Sequence, residues 1–419
     1  MSFSEWKEVR LGDSAIKIID GDRGKNYPNG SDFMNKGYCL FLNAKNVTMN
    51  GFLFTEKMFI TKDKDKLLRK GKLKRKDIVL TTRGTVGNVA YYNDEIKYGN
   101  VRINSGMVIL RCLETEVLPQ YGYWLFRSPI IQNQILSIRT GSAQPQLPIS
   151  VMKNLKFLLP PLSEQKAIAD TLSCLDDKIE LNNRINKTLE EMAQAIFKSW
   201  FVDFDPFQDG EFEDSELGRI PKGWRTGTII NFTLEMKNGG TPSRKKETYW
   251  SSNDVSWLKT GEINNTPIVK TEEYISFEGL DNSSAKILPI NAVVLAMYGA
   301  TAGKVGILRV KSSTNQACCG MICDSVNKSL FLYLFLMENR EYIEGLAVGA
   351  AQQNLSKETI SKLPIIIPPD EIIQTAPFKE LYDSIENLMH QNEILIVVRD
   401  SLLPKLMSGE IRVPIEEVQ

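Results

Sequence analysis

Two proline pairs set 208 residues apart constrain this chain more than any other feature. Pro160 and Pro161 open a long apolar-periodic run from Leu162 to Phe201, and Pro368 and Pro369 open another from Asp370 to Met407. Gly141-Ser-Ala-Gln-Pro-Gln-Leu147 precedes the first pair, and Gly349-Ala-Ala-Gln-Gln-Asn-Leu355 precedes the second at the same interval. A chain with this spacing is a duplication of one unit, a globular part followed by a long helix. Such a duplication predicts a pseudo-twofold molecule that presents two different binding surfaces at a fixed distance.

The rest of the chain repeats in the same order. Trp224 matches Trp6 near the start of each unit, Leu295 to Gly306 matches Leu80 to Val89, and Asn315 to Met321 matches Asn104 to Met107. Short apolar runs cut by glycine read as strands: Gly37 to Leu42, Asp77 to Leu80 and Gly106 to Leu110. Tyr121 to Leu136 and Leu330 to Glu344 read as helices. The fold class is therefore α/β in the broad sense (α+β): two globular parts of mixed strands and helices, and two long helices. The expected boundaries are 1–158 and 223–366 for the globular parts, 159–204 and 367–408 for the long helices. Between the units, 205–222 lies in an acidic, turn-rich stretch that reads as a linker, and 409–419 is a tail.

Ile168, Leu172, Leu175, Ile179, Leu189, Ile196 and Trp200 recur in steps of three and four along the first long run. Phe378, Leu381, Ile385, Leu388, Leu395, Leu402 and Leu406 do so along the second. This is a coiled-coil seam, with Asn182 and Asn186 in one copy and Asn392 in the other as register-fixing polar residues. At 1.5 Å per residue each helix would be roughly 60 Å long. Antiparallel packing of the two on each other is the expected arrangement. Two separate amphipathic helices, each lying on its own globular part, is the alternative.

The bulk numbers exclude several classes. A chain of 419 residues is too long for one core. No apolar run reaches the roughly 20 residues of a membrane helix, and Met-Ser-Phe-Ser-Glu-Trp has neither part of a signal peptide, so no membrane association is expected and a cytoplasmic chain is. The 51 basic and 51 acidic residues balance, so any nucleic-acid surface must be local. His390 is the only histidine, which argues against histidine catalysis and histidine-rich metal sites. The six cysteines lack C-x-x-C spacing and read as reduced core residues, so no metal site is expected.

Catalytic motifs are missing. Gly299-Ala-Thr-Ala-Gly-Lys304 is one residue short of a phosphate-cradling loop, and Val305 stands where a magnesium-binding Ser or Thr is required. It reads as a glycine turn between strands. No G-x-G-x-x-G follows a strand, no G-x-S-x-G occurs, and Asp205-Pro-Phe207 lacks the second proline of an amino-methyltransferase motif. A binding protein without catalytic residues is the expected reading.

Cations cluster instead. Lys62 to Lys76 holds nine basic residues against Asp63 and Asp65; phosphate contact and a solvated surface loop both account for it. Arg23, Lys25, Asn26 and Tyr27 share a glycine-rich loop. Arg244 and Lys245 follow Gly239-Gly-Thr-Pro-Ser243 and precede Tyr249 and Trp250. Arg, Lys, Asn and Gln pair bidentately with base edges. Gln144 and Gln146, matched by Gln352 and Gln353, either do this or stabilise turns.

With Gly239-Gly-Thr-Pro-Ser243 followed by Tyr249-Trp250 and Trp257-Leu-Lys-Thr-Gly261, and with Pro160-Pro-Leu-Ser-Glu-Gln165 leading into Ile168, the chain resembles the specificity subunits of type I restriction–modification systems along essentially its whole length. The second copy departs from the pattern at Pro368-Pro-Asp-Glu-Ile372. The resemblance implies a bacterial or archaeal protein whose two target-recognition domains each read one half of a split, asymmetric site on double-stranded DNA. It implies long helices that set the unread spacing and dock two modification subunits, which hold S-adenosylmethionine and methylate adenine. Restriction subunits that use ATP and Mg would join that core, and this chain would hold no cofactor. The candidate DNA contacts on this reading are Arg23, Lys25, Asn26, Tyr27, Lys72, Lys74, Arg75, Arg83, Gln144 and Gln146 in the first unit. In the second they are Thr241, Ser243, Arg244, Lys245, Lys259, Tyr298, Gln352 and Gln353. Two other classes compete: a self-contained DNA-modifying enzyme, and a coiled-coil scaffold that pairs proteins without reading DNA.

Overall fold

A computed structural model describes residues 6–141, 145–347 and 354–414. The chain divides into two compact units, Met1–Lys178 with Leu395–Gln419, and Ile179–Ile394. Both boundaries cut through the long helices, so each unit owns a segment of each helix.

Unit one is built on a four-stranded antiparallel sheet. Its order is Ile16–Asp20, Met107–Cys112, Ile78–Thr81, Val89–Tyr91. A smaller sheet pairs Cys39–Phe41 antiparallel with Phe59–Ile60 and parallel with Val101–Arg102. Lys7–Arg10 pairs with Lys156–Leu159. Alternate residues of the central strands serve two cores: Ile78, Leu80, Val108 and Leu110 pack with Trp124, Phe126 and the helix segment at Ile168 and Leu172, while Val79, Met107 and Ile109 pack toward Leu40 and Tyr92. That division follows from the two-residue side-chain period of a strand buried on both faces.

Unit two repeats this topology. Glu235–Asn238, Cys318–Ile322, Val293–Ala296 and Val305–Leu308 are hydrogen-bonded in the matching order, with Pro267–Ile268 added at the edge. Val255–Leu258 again has one antiparallel neighbour, Glu273–Ile275, and one parallel neighbour, Ser312–Thr314. Arg225–Thr228 pairs with Pro364–Ile367 as the first strand of unit one does with its last. The duplication read from the proline pairs is thus a duplication of strand order and strand direction.

The first long helix runs Leu162–Phe201, 40 residues, as the periodicity indicates. The second run is shorter than expected. It breaks into Asp370–Thr375 and Phe378–Ser408. Pro377 has no N–H to donate and forces Ala376 into extended backbone (φ −67°, ψ 133°), which ends the first piece. The same chemistry splits the expected helix Tyr121 to Leu136: Pro129 leaves Ser128 extended between Pro119–Arg127 and Pro129–Ile138. Asn339 divides the other expected helix into Val326–Glu338 and Arg340–Gly345.

Within each unit the two long helices pack antiparallel. In unit one Ile168 and Leu172 share a core with Leu403, Leu406 and Met407, and Asp176 takes Arg399 on one oxygen and Arg127 on the other. In unit two Phe197 and Phe201 both meet Phe378, and Asn182 Nδ2 donates to Asn392 Oδ1 at 2.9 Å. The expected seam residues Ile168, Leu172 and Ile385 are buried, and Leu175, Ile179, Leu189, Leu381, Leu388, Leu395 and Leu402 are half-buried. Toward the end of the first helix the seam shifts: Ala193, Phe197 and Phe201 are buried, whereas Ile196 and Trp200 are half-buried. A straight helix has 3.6 residues per turn, so a strict 3.5 repeat drifts off its face.

The stretch expected as a plain linker is folded. Phe212–Ser215 and Gly218–Pro221 form a hairpin. Phe204 and Phe207 set their rings edge-on to Trp224 at 5.4 and 5.2 Å. Unit one closes its own ends in a related way, with Arg412 4.3 Å over the Trp6 ring and paired with Glu164, which also accepts from Trp6 Nε1 at 3.0 Å. All six cysteines are free thiols; Cys39, Cys318 and Cys319 are buried, Cys112 and Cys323 partly so, and Cys174 is exposed rather than in the core. Among the described residues no helix is long and apolar enough to cross a membrane.

Candidate nucleic-acid interface

In each unit a glycine lets one loop lie directly on another. The loop leaving Ile16–Asp20 packs on the turn at Asn104, and a Cβ on Gly21 would stand 2.3 Å from the Asn104 carbonyl oxygen. The loop leaving Glu235–Asn238 packs on the turn at Asn315, and a Cβ on Gly239 would stand 2.1 Å from that carbonyl oxygen. Both asparagines brace their own turns: Asn104 Oδ1 accepts from the Gly106 N–H at 2.9 Å, Asn315 Oδ1 from the Ala317 N–H at 3.2 Å. Upon this shared frame Arg23 Nη2 donates to the Ser105 carbonyl at 3.3 Å and to Asp20 at 3.2 Å. In unit two the Thr241 hydroxyl donates to Gln316 Oε1.

A second loop is also repeated. Gly84 and Gly299 have left-handed φ of 72° and 70°, which turns the chain sharply after Arg83 and after Tyr298. Arg83 forms a single bridge with Gln146, and Tyr298 forms one with Asn354. Both Arg83 and Tyr298 are exposed. Gln146 is held in place by backbone bonds to Thr140, and its side chain is exposed. Gln144, Gln352 and Gln353 lie outside the described residues.

The basic stretch of unit one resolves into paired and unpaired groups. Lys62–Leu67 is a short helix. Asp65 is buried and takes Lys72 at 2.6 Å and Arg102 at 2.5 Å. Burial works against the Asp65 charge, but those two cations outweigh it and hold its carboxyl below the usual range. Lys64 pairs with Asp32 at 2.9 Å. Arg75 donates to the Asn93 and Ile96 carbonyls and lies 4.3 Å over the Tyr92 ring. Lys72 and Arg75 therefore tie loops together. Lys74 and Lys25 are exposed. Asn26 donates to the Leu67 carbonyl at 3.3 Å, and the Tyr27 hydroxyl accepts from the Ser105 N–H at 3.3 Å, so both hold the first loop in place.

Unit two has an open cleft of about 510 Å³ lined by Thr241, Lys259, Glu262, Glu272, Asn315 and Gln316. Its cations are already matched. Lys259 Nζ lies 2.8 Å from Glu272 and 3.0 Å from Glu273, and hydrogen bonds to both push its ammonium above the usual range. Arg244 pairs with Glu273 at 2.6 Å and stacks 3.4 Å over Trp250. Trp250 in turn donates to the Ser243 carbonyl at 3.3 Å. Lys245 is exposed. A cleft with this balance offers little to a phosphate and much to a group that both donates and accepts hydrogen bonds. Glu272, Glu273 and Gln316 were not legible as site residues; Gln316 alone carries a signal, its place directly after the repeated asparagine.

Two modules with one frame and two different loop sets define a recognition protein with an internal repeat. The chain belongs to the type I restriction–modification DNA specificity family, whose domain model matches residues 3–191 and again 221–396. It is 28% identical to the specificity subunit of the type I restriction enzyme HindI of Haemophilus influenzae, over 97% of this chain and all of that one. It is 29% identical to the MjaIX specificity subunit of Methanocaldococcus jannaschii, over 80% of this chain and 78% of that one. The crystal structure of the type I restriction–modification S subunit from M. genitalium superposes with a TM-score of 0.59 at 14% identity, covering 97% of this chain and 96% of the other. The chain is a DNA target-recognition subunit by family.

Proposed function

We propose that each unit reads one half of a bipartite, asymmetric site on double-stranded DNA. The observation that carries this is the repeated frame with different side chains on it: Arg23 and Arg83 in one unit, Gln316 and Tyr298 in the other, at the same two loop junctions. One backbone geometry with two chemistries is what reading two unlike half-sites requires. The long helices set the number of unread base pairs and dock two copies of a modification subunit. That subunit holds S-adenosylmethionine and methylates adenine that it takes out of the stack. Restriction subunits that use ATP and Mg join through the same core, and this chain contributes specificity without catalysis. Half-sites on one face of B-DNA lie about 34 Å apart, a separation that helices of roughly 45–60 Å are long enough to span.

Adenine-methylation mapping in cells that co-express this chain with its modification subunit tests the reading. A split motif is expected, with one half replaced when residues 223–360 are exchanged for those of a relative. A continuous motif would overturn the two-unit reading. Copurification of the two proteins without any methylation would favour a scaffold.

A further inference from the structure

The junction between the glycine loop and the asparagine turn is the same in both units, but its long exposed side chain comes from opposite partners. Gly21 and Arg23 lie 218 residues before Gly239 and Thr241, the interval that also separates Trp6 from Trp224. Ser105 follows Asn104 as Gln316 follows Asn315. In unit one the first loop supplies a long side chain, Arg23, and the turn steadies it through the backbone carbonyl of Ser105. In unit two the first loop supplies a small partner, Thr241, and the turn supplies a long side chain, Gln316. Each junction therefore projects one side chain with several hydrogen-bonding groups and steadies it with a second residue.

Building on the DNA-reading function proposed above, we propose that Arg23 and Gln316 are the paired base-reading residues of the two units, Arg23 taking a guanine edge and Gln316 an adenine edge. The Arg23 guanidinium is about half exposed, and its bonds to Asp20 and Ser105, 3.2 and 3.3 Å, both use Nη2; each two-pronged edge of a guanidinium includes that nitrogen, so gripping guanine exchanges one of these long bonds for the base. A guanidinium has five N–H donors in a fork that matches guanine O6 and N7. Gln316 is exposed on the cleft wall, and its Oε1 holds the Thr241 hydroxyl through one of two lone pairs. The other lone pair accepts from the adenine N6 amine while Nε2 donates to N7. Thr241 is a positioning residue: it fixes the rotation of the amide so that acceptor and donor face outward in a set order. Lys259, which lines the cleft with Gln316, is neutralised by Glu272 and Glu273, which keeps the cleft from gripping phosphates of any sequence.

Selection from a pool of random DNA duplexes by the full chain, in complex with its modification subunit, tests this. Wild type is expected to select a split motif. Gln316→Ala should erase preference at a single A·T pair of one half by about 5- to 150-fold and leave the other half unchanged. Arg23→Ala should erase preference at one G·C pair of the other half. Thr241→Val should weaken the same A·T pair as Gln316→Ala, and Thr241→Ser should restore it, which a purely structural role would not do. Because Gln316 is exposed, unchanged melting of its variant separates reading from folding. A uniform loss over all sequences, or a lost preference for a base other than adenine or guanine at these positions, would overturn the assignment while leaving bipartite recognition intact. A wild-type chain that selects no split motif would sink the underlying reading and the assignment with it.

Discussion

Gly21 and Gly239 are required for space, not for backbone freedom, since neither has a left-handed φ. Any Cβ there meets a carbonyl oxygen of the opposing loop at 2.1–2.3 Å. Gly21→Ala and Gly239→Ala should each push the two loops apart, cost about 2 kcal/mol or more, and abolish reading of one half-site only; thermal melting with half-site selection checks both. Glu190 supplies a pH signature. Its burial in the helix pair, with Glu191 beside it, raises its pKa to about 7. The unfolded chain loses this proton near 4.5 and the folded chain near 7, so the native state binds more protons in between and stability falls as pH rises through that window. Glu190→Gln should flatten this slope and stabilise the protein at pH 8 by on the order of 1 kcal/mol, discounted for partial exposure; urea titrations at pH 5 and 8 read it directly. Arg244 was legible as a cation after a glycine-rich loop, and Lys259 as part of the Trp257 to Gly261 segment that carries the resemblance. Their carboxylates were not, because Glu272 and Glu273 reach them through folding and through no spacing in the sequence.

At the scale of elements the polar layer of the helix pair shows what the seam is for. Asn182 Nδ2 donates to Asn392, and Asn392 Nδ2 donates to Asn183 at 2.9 Å. The buried Oδ1 atoms of Asn182 and Asn186 meet no donor among the described residues. A layer left partly unsatisfied costs stability, and polar seam residues in coiled coils trade that stability for a fixed register. Asn392→Ala should therefore cost about 1–3 kcal/mol by stranding Asn182, whereas Asn182→Leu with Asn392→Leu should melt higher than wild type. If the double variant also broadens the spacing tolerated between half-sites, register is the function of the layer; an unchanged spacing would assign it to folding alone. The long helices were readable because three-four spacing over about eight or nine turns has few other outcomes. The break at Pro377 was readable in principle, as Pro377 stands within an otherwise periodic run and proline removes a helical donor. The hairpin at Phe212–Pro221 was hidden by composition: turn formers and acidic residues mask the Phe204, Phe207 and Trp224 cluster that folds it.

The whole molecule is assembled so that unit one contains both ends of the described chain. Its first strand, Lys7–Arg10, pairs with Lys156–Leu159, and the segment after the last helix returns to Trp6 and Glu164 through Arg412. Val413 packs against the same core as Ile168 and Leu406. Unit two closes the corresponding corner from within, with Phe204 and Phe207 on Trp224. Repetition at this scale was legible from the proline pairs, but this difference was not, since the tail and the folded linker share almost no residues. It has a measurable consequence. Among the described residues, truncation after Ser408 removes contacts made within unit one, those of Arg412 with Trp6 and Glu164 and of Val413 with the core. Amide exchange followed by peptide mass spectrometry should show faster exchange in Lys7–Arg10, Lys156–Leu159 and the first turns of the helix beginning at Leu162. Arg225–Thr228 and Pro364–Ile367 should keep the protection they have in the full chain, because each unit has its own core and opens independently. Equal acceleration in both strand pairs would mean that the two units unfold as one.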